Sequence, residues 1–131
     1  MTSKVGDNIN QKIDTSLVVN EFLAFFYQSW STNPQIFIDS HTLKHYSKMK
    51  YGDTVYKGEE MYKILLEFHV GAPLVFTPIS FNHLNDGSRK VTINVIGDMS
   101  KGEETKTFSQ TLIICHHKDH WYLQYSILIL L

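Results

Sequence analysis

Cysteine is nearly absent from this sequence: Cys115 stands alone among 131 residues. A lone thiol excludes a disulfide within the chain and a zinc site built from thiolates. It fits a reducing compartment, and within Leu112-Ile113-Ile114-Cys115 it reads as a buried, inert group. Net charge is scarce too. Twelve basic residues against 13 acidic ones give −1, which excludes the electrostatic footprint of a protein that lives on nucleic-acid phosphates. No apolar run is long. The longest, Ile127-Leu128-Ile129-Leu130-Leu131, falls far short of the roughly 20 residues that cross a bilayer. Met1 to Asn10 is polar and lacks the apolar segment of a secretory leader, so a soluble intracellular protein is expected. Glycine-rich phosphate loops, internal repeats and low-complexity tracts are missing, and Gly97, standing alone at a strand end, reads as a bulge.

What the chain does have is apolar and aromatic surface, 43% hydrophobic residues and 13% aromatic. At this length that supplies one core without covalent staples, so a single domain over 13–131 is expected behind a flexible arm at 1–12. Asp14-Thr15-Ser16 offers cap oxygens for a first helix. Its Val18, Phe22, Phe25 and Phe26 recur at spacings of three and four, up to Trp30. Asn33-Pro34 reads as a cap and a first-turn proline for a short helical turn over Gln35 to Asp39. A second long helix is expected after Gly58, with Met61, Ile64, Leu65 and Phe68 on its apolar face and Gly71 and Pro73 at its end.

The remainder reads as strands. Leu43 to Tyr56 suits extended segments around a turn at Gly52-Asp53, and Leu74 to Leu84 leads into the hairpin signal Asn85-Asp86-Gly87. Val91, Ile93 and Val95 alternate with Thr92 and Asn94, as a half-buried strand does. A turn at Ser100-Lys101-Gly102-Glu103 precedes strands over Thr105 to Cys115 and Trp121 to Leu131, with His116 to His120 as a connecting loop. Helices first and a meander last predict an α+β fold, N-terminal helices packed on a strongly curved antiparallel sheet. The last strand loses its alternation, since Ile127 to Leu131 is apolar on both pleat faces. A strand of that kind is covered on both sides. Helices cover one face of the sheet, and a partner subunit is the expected cover for the other.

Several segments together resemble the nuclear transport factor 2 family. They are Phe22-x-x-Phe25-Phe26-Tyr27, Val55-Tyr56-Lys57-Gly58, the strand Val91 to Gly97, and Phe108-Ser109-Gln110-Thr111-Leu112-Ile113 with Trp121 downstream. The likeness runs from about Leu17 to Leu131 and is strongest to the family's small mRNA-export-cofactor branch. It implies a cone-shaped fold whose sheet face packs on a second such domain. The implied partners are a second copy, or the similar domain of an mRNA export receptor, together with phenylalanine-glycine repeats of nuclear pores. The implied location is nucleus and cytoplasm. An import factor for a small GTPase and a scaffold domain remain alternatives. Where the family carries an acidic stretch, this chain has Gly102-Glu103-Glu104-Thr105-Lys106. Where the family has an Asp and, three residues later, an Arg near the C-terminus, it has Ser126 and Ile129. An apolar patch is therefore expected in place of a charge pair. The interface candidates are Met99, Phe108, Leu112, Tyr125, Ile127 and Ile129, taken from the final strands.

The same fold class hosts ketosteroid isomerases and small dehydratases, so a cavity enzyme is the competing class. Its parts would be Tyr27 and Tyr46 as phenolic donors with His45, His83 or Asp98 as bases. None of these stands in a diagnostic spacing, and fold alone does not license catalysis. His116, His117 and His120 lie close together without the ligand spacing of zinc sites, and read as a solvated loop. Lys44, Lys48 and Lys50 interleave with Tyr46 and Tyr51, a weak stacking-plus-charge pattern for nucleic acid. No cofactor and no catalytic residue is assigned, and no direct contact with nucleic acid or membrane is expected.

Overall fold

A long helix seated on one side of a bent sheet organises the chain. The computed structural model describes residues 15–33, 35–36, 43–57, 60, 63–64, 67, 74–85 and 89–131, the side chains of 43–46 excepted. Helix α1 runs Thr15–Thr32, followed by strands β1 (Leu43–Tyr51), β2 (Thr54–Lys57), β3 (Leu74–Asn85), β4 (Lys90–Lys101), β5 (Glu104–His117) and β6 (His120–Leu130). Glu60, Lys63, Ile64 and Glu67 are helical, in the expected second helix. The arm at 1–12, the cap residue Asp14, the apolar positions Met61, Leu65 and Phe68, the stop at Gly71 and Pro73, and the turn residues Asp86 and Gly87 lie outside the described residues.

The expected helix is present with its stripe rotated by about one position. Val19, Phe22, Leu23, Phe26, Tyr27 and Trp30 are buried, while Val18 and Phe25 pack at the margin. The rotation follows from Tyr27 and Trp30, whose large rings gain most from burial. Phe26 and Trp30 lie 4.4 Å apart by ring centroids, and Phe76 and Phe108 meet edge-on at 5.3 Å. Tyr27 stands 5.7 Å from Phe108 and 5.8 Å from Phe76, which locks helix to sheet. Each such pair adds about 0.5–1.5 kcal/mol beyond the area it buries. At the helix end the Asn33 amide donates to the Ser29 carbonyl, and Asn33 Oδ1 accepts the Gln35 amide at 3.1 Å. That is the capping role expected of Asn33.

The sheet has six strands in the order β2-β1-β6-β5-β4-β3. It is mixed, which corrects the expectation of an antiparallel sheet: β1 pairs with β6 in parallel, Lys48 opposite Tyr125 and Lys50 opposite Ile127. All other pairings are antiparallel. Turns are tight. Gly52 and Gly102 each take a φ of 63° at the start of a two-residue loop. The expected His116–His120 loop shrinks to Lys118-Asp119, with φ of 49° and 66°, because His117 pairs with His120 and His116 with Trp121. Positive φ at both central positions matches the twist of the flanking strands, at some strain for residues with a Cβ.

Curvature has a local cause. Pro78 and Ser80 pair with Gly97 and Ile96, which leaves Ile79 as an extra residue on edge strand β3. Gly97 sits mid-strand opposite this bulge, and a Cβ there would come within 3 Å of the Thr77 carbonyl, the Pro78 Cα and the Phe108 ring. The bulge expected at Gly97 thus belongs to its neighbour, and glycine is required for the close approach.

Candidate protein-interaction face

Period-two geometry sorts every strand residue to one of two faces. The inner face, under α1, carries Val91, Ile93 and Val95 on β4, Phe108, Leu112 and Ile114 on β5, Leu123 and Leu128 on β6, and Met49 on β1. All are at most 2% exposed. A polar thread crosses it: the Tyr27 hydroxyl donates to Gln110 Oε1 at 2.8 Å, and Gln110 Nε2 donates to Ser126 Oγ at 2.8 Å. Burial drives the Tyr27 phenol well above its ordinary range, so it stays a neutral donor.

The outer face is built by the alternate residues. Tyr125 lies beside Ile113, Ile127 beside Thr111 and Ile129 beside Ser109, and these continue to Thr92, Asn94 and Ile96 on β4. A side-chain ladder crosses it: Asn94 Nδ2 donates to Asn82 Oδ1 at 3.3 Å and Thr111 Oγ1 donates to Asn94 Oδ1 at 3.0 Å. Ile96 and Ile129 each remain 50% exposed, while Ile113, Tyr125 and Ile127 are half-buried. Aliphatic groups in a row across the central strands of a sheet are costly to leave in water, at about 25 cal/mol per Å². The arrangement can do one thing well, which is to bury itself against another protein surface.

The six interface candidates divide cleanly. Tyr125, Ile127 and Ile129 lie on the outer face. Phe108 and Leu112 do not: both are 0% exposed, inside the core. The register decides it, since Ile127 pairs with Thr111 and Ile129 with Ser109, so Phe108 and Leu112 must point the opposite way. Met99 also lies on the inner side, in phase with Val95, half-buried where the cone opens. Ser126 points inward and accepts from Gln110, so it is not part of the outer face. Sequence reasoning missed Ile96 and Ile113. Their signal was the doubled apolar pairs Val95-Ile96 and Ile113-Ile114, which break alternation on strands that otherwise keep it.

The described candidate catalytic groups, Tyr27, His83 and Asp98, do not converge. Tyr27 is spent on Gln110, Asp98 lies on the outer face opposite Thr107, and His83 sits far along β3 opposite Ile93. The side chains of Tyr46 and His45 are outside the described residues. A hollow of about 300 Å³ remains at the open end, lined by Tyr51, Ile64, Glu67, Leu74, Met99, Lys101 and Leu128. Tyr51 packs against the core, so it does not alternate with Lys48 and Lys50 as a stacking surface would need. Among the described residues no three His, Cys, Asp or Glu side chains gather to hold a metal. His116 instead packs against Trp121, 5.0 Å between ring centroids with the planes tilted by 42°. Cys115 is buried, donates to Gln124 Oε1 at 3.3 Å, and has its thiol pushed up by burial against the lowering effect of Lys90 and Tyr122.

No protein-family model matches this chain, and no curated protein matches it by sequence. Its fold is similar to that of the yeast Ubp3-associated protein Bre5, with TM-score 0.77 and 14% identity over 92% of this chain and 98% of that one. Nuclear transport factor 2 of Cryptosporidium parvum is similar at TM-score 0.70 and 17% identity, over 86% of this chain and 90% of that one. A ketosteroid isomerase-like protein from Shewanella frigidimarina follows at TM-score 0.67 and 14% identity, over 79% and 88%. The chain therefore has the nuclear transport factor 2-like fold, a helix on a six-stranded curved mixed sheet.

Proposed function

We propose that this domain is a non-enzymatic adaptor in nucleocytoplasmic transport, working in nucleus and cytoplasm. Its outer sheet face pairs with a similar domain of an mRNA export receptor. The pair supports binding of phenylalanine-glycine repeats of nuclear pores. The observation that carries the reading is the apolar patch on the outer face of the central strands, where Ile96 and Ile129 are half exposed and Ile113, Tyr125 and Ile127 are half-buried beside them. A groove of about 440 Å³ between α1 and edge strand β3, with Leu23, Ala24, Val75, Pro78 and Phe81 in its lining, offers an apolar seat for an aromatic repeat side chain. The fold shared with nuclear transport factor 2 supports the transport reading.

The similarity to Bre5, a Ubp3-associated protein, favours a second reading in which the same face serves a scaffold or cofactor assembly. Both readings need the outer face. Co-expression with an export-receptor domain and a phenylalanine-glycine repeat peptide separates them. The first expects a 1:1 complex that Ile127→Asp abolishes, with peptide binding weakened by Phe81→Ala. A receptor domain that ignores this chain, or a complex indifferent to Ile127→Asp, would reject it.

A further inference from the structure

The outer face is not electrically neutral along its length. Lys48 lies directly opposite Lys57 across the β1–β2 pair, and Lys50, two residues on, shares their face. All three are exposed. Like charges directly opposite on a sheet repel, so this register is unfavourable for the chain by itself. Among the described residues no carboxylate pairs with any of the three. The lysines also adjoin the apolar row without a break, because Lys48 neighbours Tyr125 and Lys50 neighbours Ile127 on the adjacent strand. A hollow of about 530 Å³ opens between them, lined by Lys48, Val55, Gln124 and Tyr125.

A second copy would meet these lysines poorly. Of the described carboxylates, Asp98 alone lies on the outer strands' exposed pleat. Glu21, Glu60 and Glu67 are helical, and Asp53, Glu103, Glu104 and Asp119 lie on or beside turns. Among the described residues, three ammonium groups per chain face one carboxylate, Asp98, on the opposing pleat of a copy. Building on the outer face as an interface, we infer that its partner is a different protein domain, apolar at its centre. Along one margin it carries Asp or Glu side chains that enter the hollow beside Tyr125 and neutralise Lys48, Lys50 and Lys57. Complementary charge of this kind fixes partner choice and orientation more than it adds raw affinity.

The test uses the full chain, mixed with an isotopically heavy copy of itself in extract of its own cells, and a zero-length carbodiimide cross-linker. Peptides holding Lys48 or Lys57 should join to Asp or Glu of another polypeptide. Lys48→Glu/Lys57→Glu should lower recovery of that polypeptide about tenfold or more at 0.15 M salt. Light–heavy cross-links within this sequence would mean a second copy is the occupant, and loss of the complex on nuclease treatment would mean a nucleic acid is. Either overturns the inference. If Ile127→Asp abolishes recovery while the lysine reversal does not, the face stands and the acidic partner falls. If Ile127→Asp changes nothing, the interface reading itself fails.

Discussion

The two faces of one sheet, separated by a single pleat, are built for different ends. Inside, Phe108, Leu112 and Leu128 are sealed under α1, and a buried chain of hydrogen bonds runs among them from Tyr27 through Gln110 to Ser126. Outside, Ile96 and Ile129 stand half in water beside a ladder of Asn and Thr side chains and a margin of lysines. The inner face determines whether the chain folds. On the reading proposed above, the outer face determines what the chain meets, and its half-exposed aliphatic groups favour a cover.

Truncation on each side breaks that comparison most directly. Phe108→Ala should cost about 3–5 kcal/mol in urea unfolding. On the outer face Ile127→Asp should cost the isolated chain under about 1 kcal/mol while removing partner binding, the signature of a surface substitution. Equal losses of stability from both would erase the distinction. Tyr27→Phe leaves the Gln110 carbonyl oxygen without its donor inside the core, at about 1–3 kcal/mol in the same measurement. Gly97→Ala should cost about 1–3 kcal/mol, because backbone atoms of Thr77 and Pro78 stand where the methyl would go.

A pH series sharpens the same contrast. Burial raises Tyr27 above its ordinary value of 10.0, so the folded state favours the neutral phenol. Its contribution is intact below pH 10 and is lost as the pH climbs past that value, since the unfolded chain ionises first. Thermal melts should therefore fall more steeply above pH 10 in the natural chain than in Tyr27→Phe. The smallest effect belongs to the β5–β6 turn. Replacing Lys118-Asp119 with Asn-Gly should raise stability by about 0.5–1 kcal/mol, as both positions have positive φ.

Much of this was legible in the residues. The helix stripe, the turns at Gly52 and Gly102, and the alternation Val91-Thr92-Ile93-Asn94-Val95 all follow from local chemistry, and local chemistry is what a sequence displays. The parallel β1–β6 pairing was not, because it joins segments far apart in the chain through a register that neither encodes alone. The assignment of Phe108 and Leu112 to the interface failed for a related reason. Both faces of β5 and β6 carry apolar residues, so only the register with Ile127 and Ile129 separates them. Gln124 adds a further turn of the pleat: Ile113 pairs with Tyr125 and Ile114 with Leu123, so Gln124 is skipped and Leu123 and Tyr125 fall on opposite sides. Residue spacing alone would have placed them together.

Within the sheet, β6 is the hinge pin that fastens the β1–β2 hairpin to the β3–β5 meander. Until that last strand is in place the hairpin's inner edge has nothing to zip against, and the hydrophobic floor beneath α1 is missing Leu123 and Leu128. Assembly must then wait on contacts between distant stretches of chain, a topology that folds slowly. During that wait the apolar outer row is exposed as well, so a partner present early would shelter the nascent domain as well as recruit it.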